Sequence, residues 1–306
     1  MNFTEAYNSY EKYIELKLKA QSIRTIKNRF ENHIINFFKN YNIYNIKEID
    51  IINWQNEIES KNLSDKYKQT LHTALVSFLN FCMIFYELNK NVASKVGNFK
   101  RKNIKNKQYE FYNYEEFNKF IKCVDNEIYK QFFNFMFFVG TRPGETLALK
   151  FSDLKDDMIS INKTLDSRYY KGQRIENSPK TLSSIREIEI DKQLKKDLLE
   201  LKKDYEKKYN NKKYDYFIFG GIKPLATTTI NRYKEKACIK ANIKKIRLHD
   251  FRHSHATLLV NQNIMINEIS RRLGHSNVTI TLNTYVHTDK EQEKKVIKTL
   301  NSIRLN

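Results

Sequence analysis

The stretch LHDFRHSHATLLV, residues 248–260, holds three of the seven histidines of this 306-residue chain. Two chemistries use residues of this kind. His249, His253 and His255 could surround a metal ion, because neutral imidazole is a common zinc ligand. Alternatively, His249 and Arg252 lie three residues apart, so on a helix they would share a face and could bind the oxygen atoms of one phosphate. The stretch alone leaves both chemistries open.

The spacing favours phosphate over metal. His249 and His253 are four residues apart, as in zinc-binding pairs, but no glutamate lies between them, and Arg252 would bring positive charge against the cation. We therefore predict no metal and no cofactor. One of His253 and His255 is expected to support the site or a backbone carbonyl, and the other to pack at the domain surface. Asp250 is expected to start a helix or form a salt bridge, since a carboxylate would repel a phosphate.

The charge balance also points to a polyanion. The chain has 55 Lys and Arg against 35 Asp and Glu, a net charge of +20 and a pI of about 9.6. Such an excess attracts nucleic acid. A codon bias towards Lys, Asn and Ile could produce part of the same excess.

The cysteines and the apolar stretches indicate the compartment. Cys82, Cys123 and Cys238 are odd in number and far apart, which forms no disulfide or zinc framework and is typical of a reducing cytoplasm. The longest apolar stretch, FFNFMFFVG at 132–140, is much shorter than the roughly 20 residues that span a bilayer. We predict a cytoplasmic protein.

A basic segment, FKRKNIKNKQ at 99–108, divides the chain. It predicts an N-terminal domain at 1–98, a linker at 99–108 and a second domain at 109–306. The linker is either a solvated tether or a strap along a phosphate backbone. Its candidate DNA-binding residues are Lys100, Arg101, Lys102, Lys105 and Lys107.

Hydrophobic periodicity predicts a mainly α fold with a small antiparallel β-sheet. Residues 1–98 show helical spacing for four or five short helices, and Ser64 with Asp65 is predicted to start the last long one. Alternating, β-branched segments within 158–190 predict the sheet. Helical patterns precede that region and return from residue 191.

The remaining candidates lie in three further motifs. GTRPGETLALKFSDL, 140–154, places Arg142 directly after an apolar helix, where a cation needs a partner; Pro143 and Glu145 are typical of a new helical turn. RRLGHSN, 271–277, contains His275, 23 residues after Arg252. LNTYVHTD, 282–289, contains Tyr285, ten residues later.

In the order and spacing of these motifs, the chain resembles the tyrosine recombinase or phage integrase family. The resemblance implies a helical, SAM-like core-binding domain and a catalytic domain that carries the sheet. The two domains would close around DNA as a clamp. Many phage integrases also carry an arm-binding domain, which has no match here, so the chain either lacks it or is a fragment. The matched residues are Arg142, Lys180 at the tip of a predicted hairpin, His249, Arg252, His275 and Tyr285.

Phosphodiester exchange needs a nucleophile and groups that neutralise a pentavalent phosphorane. Tyr285 would attack phosphorus to form a 3′-phosphotyrosine and release a 5′-hydroxyl, without metal or ATP. Of the 19 tyrosines, it alone follows L-G-H by ten residues. Arg142 and Arg252 would bind the two non-bridging oxygens, because a guanidinium presents a planar fork of donors.

Three further residues would move or share protons. His275 would donate to a non-bridging oxygen or to the tyrosine, and His249 would take the phenolic proton as general base. Lys180 would protonate the leaving 5′-oxygen.

The C-terminal helix predicted at 289–306 is amphipathic, with Val296, Ile297, Leu300 and Ile303 on one stripe. The resemblance implies that it docks onto an adjacent protomer, so that a homotetramer acts on two double-stranded DNA segments. The alternative is that it folds back on its own domain.

Together these features predict the integrase of a phage or conjugative element, which could require a DNA-bending or directionality accessory protein. A chromosome-dimer resolvase of the Xer type is the closest alternative. A catalytically silent DNA-binding regulator would keep the charge but would not need an arginine, a lysine and a tyrosine together. A metal-dependent nuclease would need acidic ligands, which the motifs lack.

Overall fold

A computed structural model describes residues 1–100, 110–170, 173–177 and 182–279. The chain forms two compact units, Met1–Lys107 and Gln108–Asn306. Helices predominate in both and the strands are few and short, which confirms the predicted mainly α class. Within the described ranges, none of the helices has the length and apolar character to cross a membrane.

The first unit contains six α-helices in its described part, more than the four or five predicted. Two of them have only four and five residues, too short to produce a periodic signal. The helices are α1 (Phe3–Lys17), α2 (Ala20–His33), α3 (Ile35–Phe38), α4 (Glu48–Ser60), α5 (Asp65–Phe85) and α6 (Val92–Val96).

Helix α5 starts where the sequence predicted and is the longest of the first unit, with 21 residues. The Ser64 side chain accepts a hydrogen bond from the backbone N–H of Tyr67, which satisfies one of the free donors at the start of a helix. Only the five-residue α6 follows it in the described part of the first unit, so α5 is the last long helix there, as predicted. Its buried face joins an aromatic core in which the rings of Phe30 and Phe78 lie 5.7 Å apart.

The second unit contains seven helices and five strands in the residues that can be described. The helices are α7 (Tyr114–Lys122), α8 (Glu127–Val139), α9 (Pro143–Ala148), α10 (Lys192–Tyr209), α11 (Thr227–Lys240), α12 (Asp250–Asn261) and α13 (Ile266–Leu273). The strands are β1 (Leu154–Lys155), β2 (Met158–Ile161), β3 (Thr164–Tyr170), β4 (Gln173–Asn177) and β5 (Arg186–Glu189).

The strands form two antiparallel sheets instead of the single predicted one. One sheet has the order β1-β2-β5, with Ile159 opposite Ile188, and the other pairs β3 with β4. Strands β4 and β5, which precede and follow Lys180 in the sequence, therefore do not form a hairpin with each other. Lys180 itself lies outside the described residues.

Helix α8 is the central element of the second unit, because nearly all of its second half is buried. Helix α12 packs against it, and the rings of Phe133 and Phe251 stack with centroids 5.3 Å apart. Helix α13 packs in turn on α12 through Ala256, Ile269 and Leu273. These contacts bring the C-terminal ends of α8 and α13 towards the start of α12.

Candidate active site

Arg142 lies at the start of α9 and has the partner that its position required. Its backbone N–H donates to Glu145 Oε2 at 3.0 Å, and its guanidinium Nη1 donates to Glu145 Oε1 at 2.7 Å. Pro143 occupies the first helical position, as expected of a residue without a backbone donor. The Arg142 side chain remains 35% exposed, so the guanidinium is accessible from solvent.

Glu145 is shared between two arginines. Its second oxygen accepts a hydrogen bond from Arg186 Nη2 at 3.0 Å, and both partners of this ion pair are almost completely buried. Burial by itself would raise the pKa of the Glu145 carboxyl. The charges and hydrogen bonds of Arg186 and then Arg142 outweigh burial and hold that pKa below its usual value. The carboxylate is therefore ionised and orients Arg142.

Arg252 is 2% exposed and bridges two helix ends. Its Nη1 donates to the carbonyl of Gly140, which ends α8, at 3.0 Å, and its Nη2 donates to the carbonyl of Leu273, which ends α13, at 2.6 Å. The last carbonyls of a helix have no partner within the helix and carry partial negative charge. They can therefore hold a buried cation without a carboxylate.

The C-terminal end of α13 binds three arginines through successive carbonyls of residues 272–274. These accept from Arg186 Nε at 2.7 Å, Arg252 Nη2 at 2.6 Å and Arg142 Nη2 at 3.4 Å. Gly274 has a φ of +67°, the left-handed conformation that glycine adopts at low cost, and a Cβ there would press on Arg186. The backbone then continues directly into His275, so the L-G-H motif places an imidazole beside the arginines.

The imidazoles of His275 and His249 are neutral in this arrangement. Burial and then the charges of Arg252 and Arg142 lower the pKa of His275 to about 4. The same causes, burial first and Arg252 next, lower the pKa of His249. These electrostatic effects show that four of the six predicted site residues lie together.

The other residues of the H-D-F-R-H-S-H stretch have supporting positions. Asp250 is the first residue of α12 and pairs with Arg247 at 2.7 Å, which confirms its prediction as a helix-start and salt-bridge residue. His255 contacts the carbonyl of Phe137, as predicted for one of the two remaining histidines. His253 is half-buried, with its ring 5.2 Å from that of His249. Across the described part of the chain, no group of three or more His, Cys, Asp or Glu side chains is arranged to hold a metal ion.

Several predicted residues fall outside the described part of the chain. They are Lys180, Tyr285 and the linker residues Arg101, Lys102, Lys105 and Lys107. Residues 289–306 also lie outside it. Lys100, the one linker candidate within the described ranges, is exposed.

Two arginines of the site were not predicted from the sequence. Arg186 lies on β5, and Arg272 lies in the last turn of α13. The periodicity of α13 contained a signal for Arg272, because it follows the buried Ile269 by three residues and so shares its face, whereas Arg271 points to solvent. Arg186 left no comparable signal, since a strand as short as β5 shows little pattern.

Comparison with known proteins gives consistent results for both units. The model of the phage integrase family matches residues 110–292, and that of the phage integrase N-terminal SAM-like domain matches residues 2–58. The ICEBs1 integrase of Bacillus subtilis (strain 168) is 28% identical over 310 residues, covering 99% of this chain and 83% of that protein.

Solved structures share the fold at lower identity. The Tn1549 transposon integrase in complex with transposon right end DNA has a TM-score of 0.74 at 18% identity, covering 98% of this chain and 100% of that one. A lambda integrase tetramer bound to a Holliday junction has a TM-score of 0.68 at 14% identity, covering 93% and 77%.

Proposed function

The chain belongs to the phage integrase family of tyrosine recombinases, enzymes that cut and rejoin DNA, and from this premise we propose that it is the integrase of a mobile element that works through a 3′-phosphotyrosine. The similarity to the integrases of ICEBs1 and Tn1549 supports the mobile element.

The convergence of two arginines on the end of α13 is the observation that carries the residue assignment. Arg252 and Arg142 donate to the adjacent carbonyls of residues 273 and 274, and His275 follows at once. This arrangement holds two cations and an imidazole where a phosphate could bind all three. Arg142 and Arg252 would neutralise the non-bridging oxygens, and His275 would donate a hydrogen bond to one of them.

In the cleavage step, the phenolic oxygen of Tyr285 forms a bond to phosphorus and the bond from phosphorus to the 5′-oxygen breaks. His249 takes the phenolic proton, which it can do because its lowered pKa keeps the imidazole neutral. Lys180 gives a proton to the departing 5′-oxygen. A 5′-hydroxyl from another strand reverses these steps and reseals the DNA, so the reaction needs no ATP.

The first unit would act as the core-binding domain and the second as the catalytic domain, with residues 99–108 as a basic linker between them. Double-stranded DNA would be the substrate, bound mainly through phosphate charge. A homotetramer in the cytoplasm would join two duplexes, as the tetrameric state of the similar lambda integrase suggests. An accessory protein could bend the DNA or set the direction of the reaction.

Replacing Tyr285 with Phe tests the nucleophile. The variant should bind DNA with unchanged affinity and form no denaturant-resistant adduct, because the attacking oxygen is gone. Tyr214→Phe is a matched control, since this tyrosine is 43% exposed and distant in sequence from the motifs. It should form the adduct at the wild-type level.

An adduct with the Phe variant would assign the attack to another tyrosine. The DNA attached to the wild-type protein, captured from random genomic fragments, would be sequenced as well. Ends of a mobile element support the proposed integrase, and a chromosomal site for dimer resolution would instead favour a resolvase.

A further inference from the structure

Two side chains of the second unit, the buried His255 and the half-buried Arg272, have no role in the proposed reaction. His255 is 2% exposed and follows Arg252 by three residues on α12. Arg272 lies in α13, three residues before His275. Their side chains meet, since Arg272 Nε donates to His255 Nε2 at 3.3 Å.

This contact determines the protonation state of His255. A guanidinium has no acceptor, so His255 Nε2 must accept the hydrogen bond and Nδ1 must carry the proton. Nδ1 accordingly donates to the carbonyl of Phe137 at 2.9 Å. Burial and then the charge of Arg272 lower the pKa of His255 to about 3, in agreement with a neutral ring.

The pair shares the end of α8 with the catalytic arginine. Each of three terminal carbonyls of α8 accepts from a different side chain of α12 or α13. The Phe137 carbonyl accepts from His255, the Phe138 carbonyl from Arg272 at 3.2 Å and the Gly140 carbonyl from Arg252 at 3.0 Å. These carbonyls have no partner within the helix, and the three side chains satisfy them together. The Gly140 carbonyl orients Arg252, while His255 and Arg272 bind the other two.

Gly140 connects the pair directly to Arg252. It ends α8 with a φ of +75°, and any side chain at this position would collide with the imidazole Cδ2 of His255. The ring therefore packs closely against the residue whose carbonyl binds Arg252. A shift of the ring would move that carbonyl and, with it, the guanidinium.

Arg272 extends the same connection to the sheet and to Arg142. Its Nη1 donates to the carbonyl of Glu189 on β5 at 3.2 Å. Its own carbonyl accepts from Arg186, which pairs with Glu145, the partner of Arg142. The half-buried side chain of Arg272 thus joins α8, β5 and α12 around the site.

We propose that His255 and Arg272 are a pair of positioning residues that aim the guanidinium of Arg252 at the scissile phosphate. The inference rests on the proposed role of Arg252 as a ligand of the non-bridging oxygens. Neither member of the pair touches the substrate. They act together, through the carbonyls at the end of α8.

The test compares single-turnover cleavage at saturating protein for His255→Phe, Arg272→Leu and the double variant. Each single variant should cleave roughly 10- to 100-fold more slowly, the loss typical of a displacement of about 1 Å in a site, with little change in DNA affinity. The double variant should be no slower than the slower single one, because residues that act as a unit are not additive. The double variant replaces both members of the hydrogen bond, so neither His255 nor Arg272 remains with a polar atom that has lost its partner. It therefore remains informative if a single variant folds poorly.

Arg271→Leu is the matched control. Arg271 is the neighbouring arginine on α13, but its side chain is 80% exposed and pairs with Glu268 on the surface. This variant should cleave at the wild-type rate once the DNA is saturated.

A second substrate separates positioning of Arg252 from a general structural defect. Replacing a non-bridging oxygen of the scissile phosphate with a methyl group removes the charge that Arg252 neutralises. The deficit of His255→Phe relative to wild type should shrink on this neutral substrate, as should the deficit of Arg252→Ala.

Three results would overturn the pairing or its route through Arg252. They are wild-type cleavage by both single variants, a double variant whose loss is the product of the single losses, and an equal deficit of His255→Phe on both substrates. In each case, adduct formation by the wild-type protein would leave the proposed function standing. Failure of the wild-type protein to form any adduct would overturn the proposed function and this inference with it.

Discussion

At the scale of single residues, backbone carbonyls accept most of the hydrogen bonds that hold the arginine side chains of this site. Arg252 is bound by two of them, and Arg142 is bound by one in addition to Glu145. A carbonyl orients a guanidinium and leaves its positive charge in place, whereas a carboxylate would neutralise that charge. The positive potential at the end of α13 is therefore preserved for an anionic substrate.

The role of Lys180 as general acid can be tested by changing the leaving group of the substrate. Lys180→Ala should slow cleavage by about 10²- to 10⁴-fold, the range of general acids, with little effect on affinity. Replacing the bridging 5′-oxygen by sulfur should restore the rate to near wild type, because a thiolate leaves without a proton. The measurement is single-turnover cleavage of both substrates.

Arg252→Ala is the control for that experiment. It removes charge stabilisation, which the sulfur does not replace, so it should stay slow on both substrates. If sulfur does not rescue Lys180→Ala, the lysine is a phosphate ligand or a bystander, and the acid lies elsewhere.

Three histidines with lowered pKa values predict a stability that decreases in mild acid. The pKa values of His253, His255 and His275 are lowered to about 4, 3 and 4 in the folded protein, against about 6.5 in an unfolded chain. Between pH 6.5 and 4 the unfolded chain binds protons that the folded one does not. The free energy of unfolding should therefore decrease as the pH falls through this window.

Denaturant unfolding followed by circular dichroism at pH 7.5 and pH 5 measures this effect. For His255, the most buried of the three, the slope is about 1.4 kcal/mol per pH unit. His255→Phe should show a shallower dependence than wild type, even where its absolute stability is lower. An identical dependence in the variant would show that His255 is protonated in the folded state as easily as in the unfolded one.

At the scale of elements, the predicted linker begins from a fixed point. Gln55 on α4 donates to the carbonyl of Gly97, and Gln69 on α5 donates to the carbonyl of Phe99, both at 2.8 Å. The Phe99 ring packs 6.1 Å from that of Trp54. The basic run therefore starts at a defined position on the first unit.

Replacing the five basic residues of the linker with Gln should weaken DNA binding and flatten its salt dependence. The slope of log K against log salt should fall by up to about 0.9 for each lost phosphate contact. Binding titrations at several salt concentrations measure it. The substituted residues are Lys100, Arg101, Lys102, Lys105 and Lys107.

A control of equal charge separates local contacts from net charge. It replaces five exposed lysines of α10 and the segment after it with Gln, namely Lys196, Lys203, Lys207, Lys212 and Lys213. This variant should keep more of the wild-type slope. An equal slope for the two variants would mean that the linker contributes only its charge to the total.

At the scale of the whole molecule, residues 289–306 are predicted to link protomers. Deleting them should leave binding to a single site intact and abolish the pairing of two sites, because the apolar stripe that would dock onto the adjacent protomer is removed. Gel-shift titration with one and two sites distinguishes these states. Replacing Lys294 and Lys298 with Gln is the control, since these lie off the stripe, and should leave pairing intact. Full pairing by the truncated protein would place the segment on its own domain.

The sequence by itself determined the family, the helical class and the types of the site residues. These depend on local information. Pro143 and Glu145 mark the start of α9, Ser64 marks that of α5, and the spacing from His249 to His275 is readable along the chain. Caps and periodic apolar positions act within a few residues, so the linear order is enough to find them.

Only the tertiary structure decided what holds the site residues in place. The carbonyl that binds Arg252 on α8 lies 112 positions away, and the one that binds Arg142 lies 132 positions away. Every residue has a carbonyl, so the sequence contains no sign of which one will serve as an acceptor. Strand pairing was hidden for a similar reason, because alternation marks a strand but does not name its partner. The structure alone also assigned the roles of Arg186 and Arg272 and showed that His255, not His253, binds the Phe137 carbonyl.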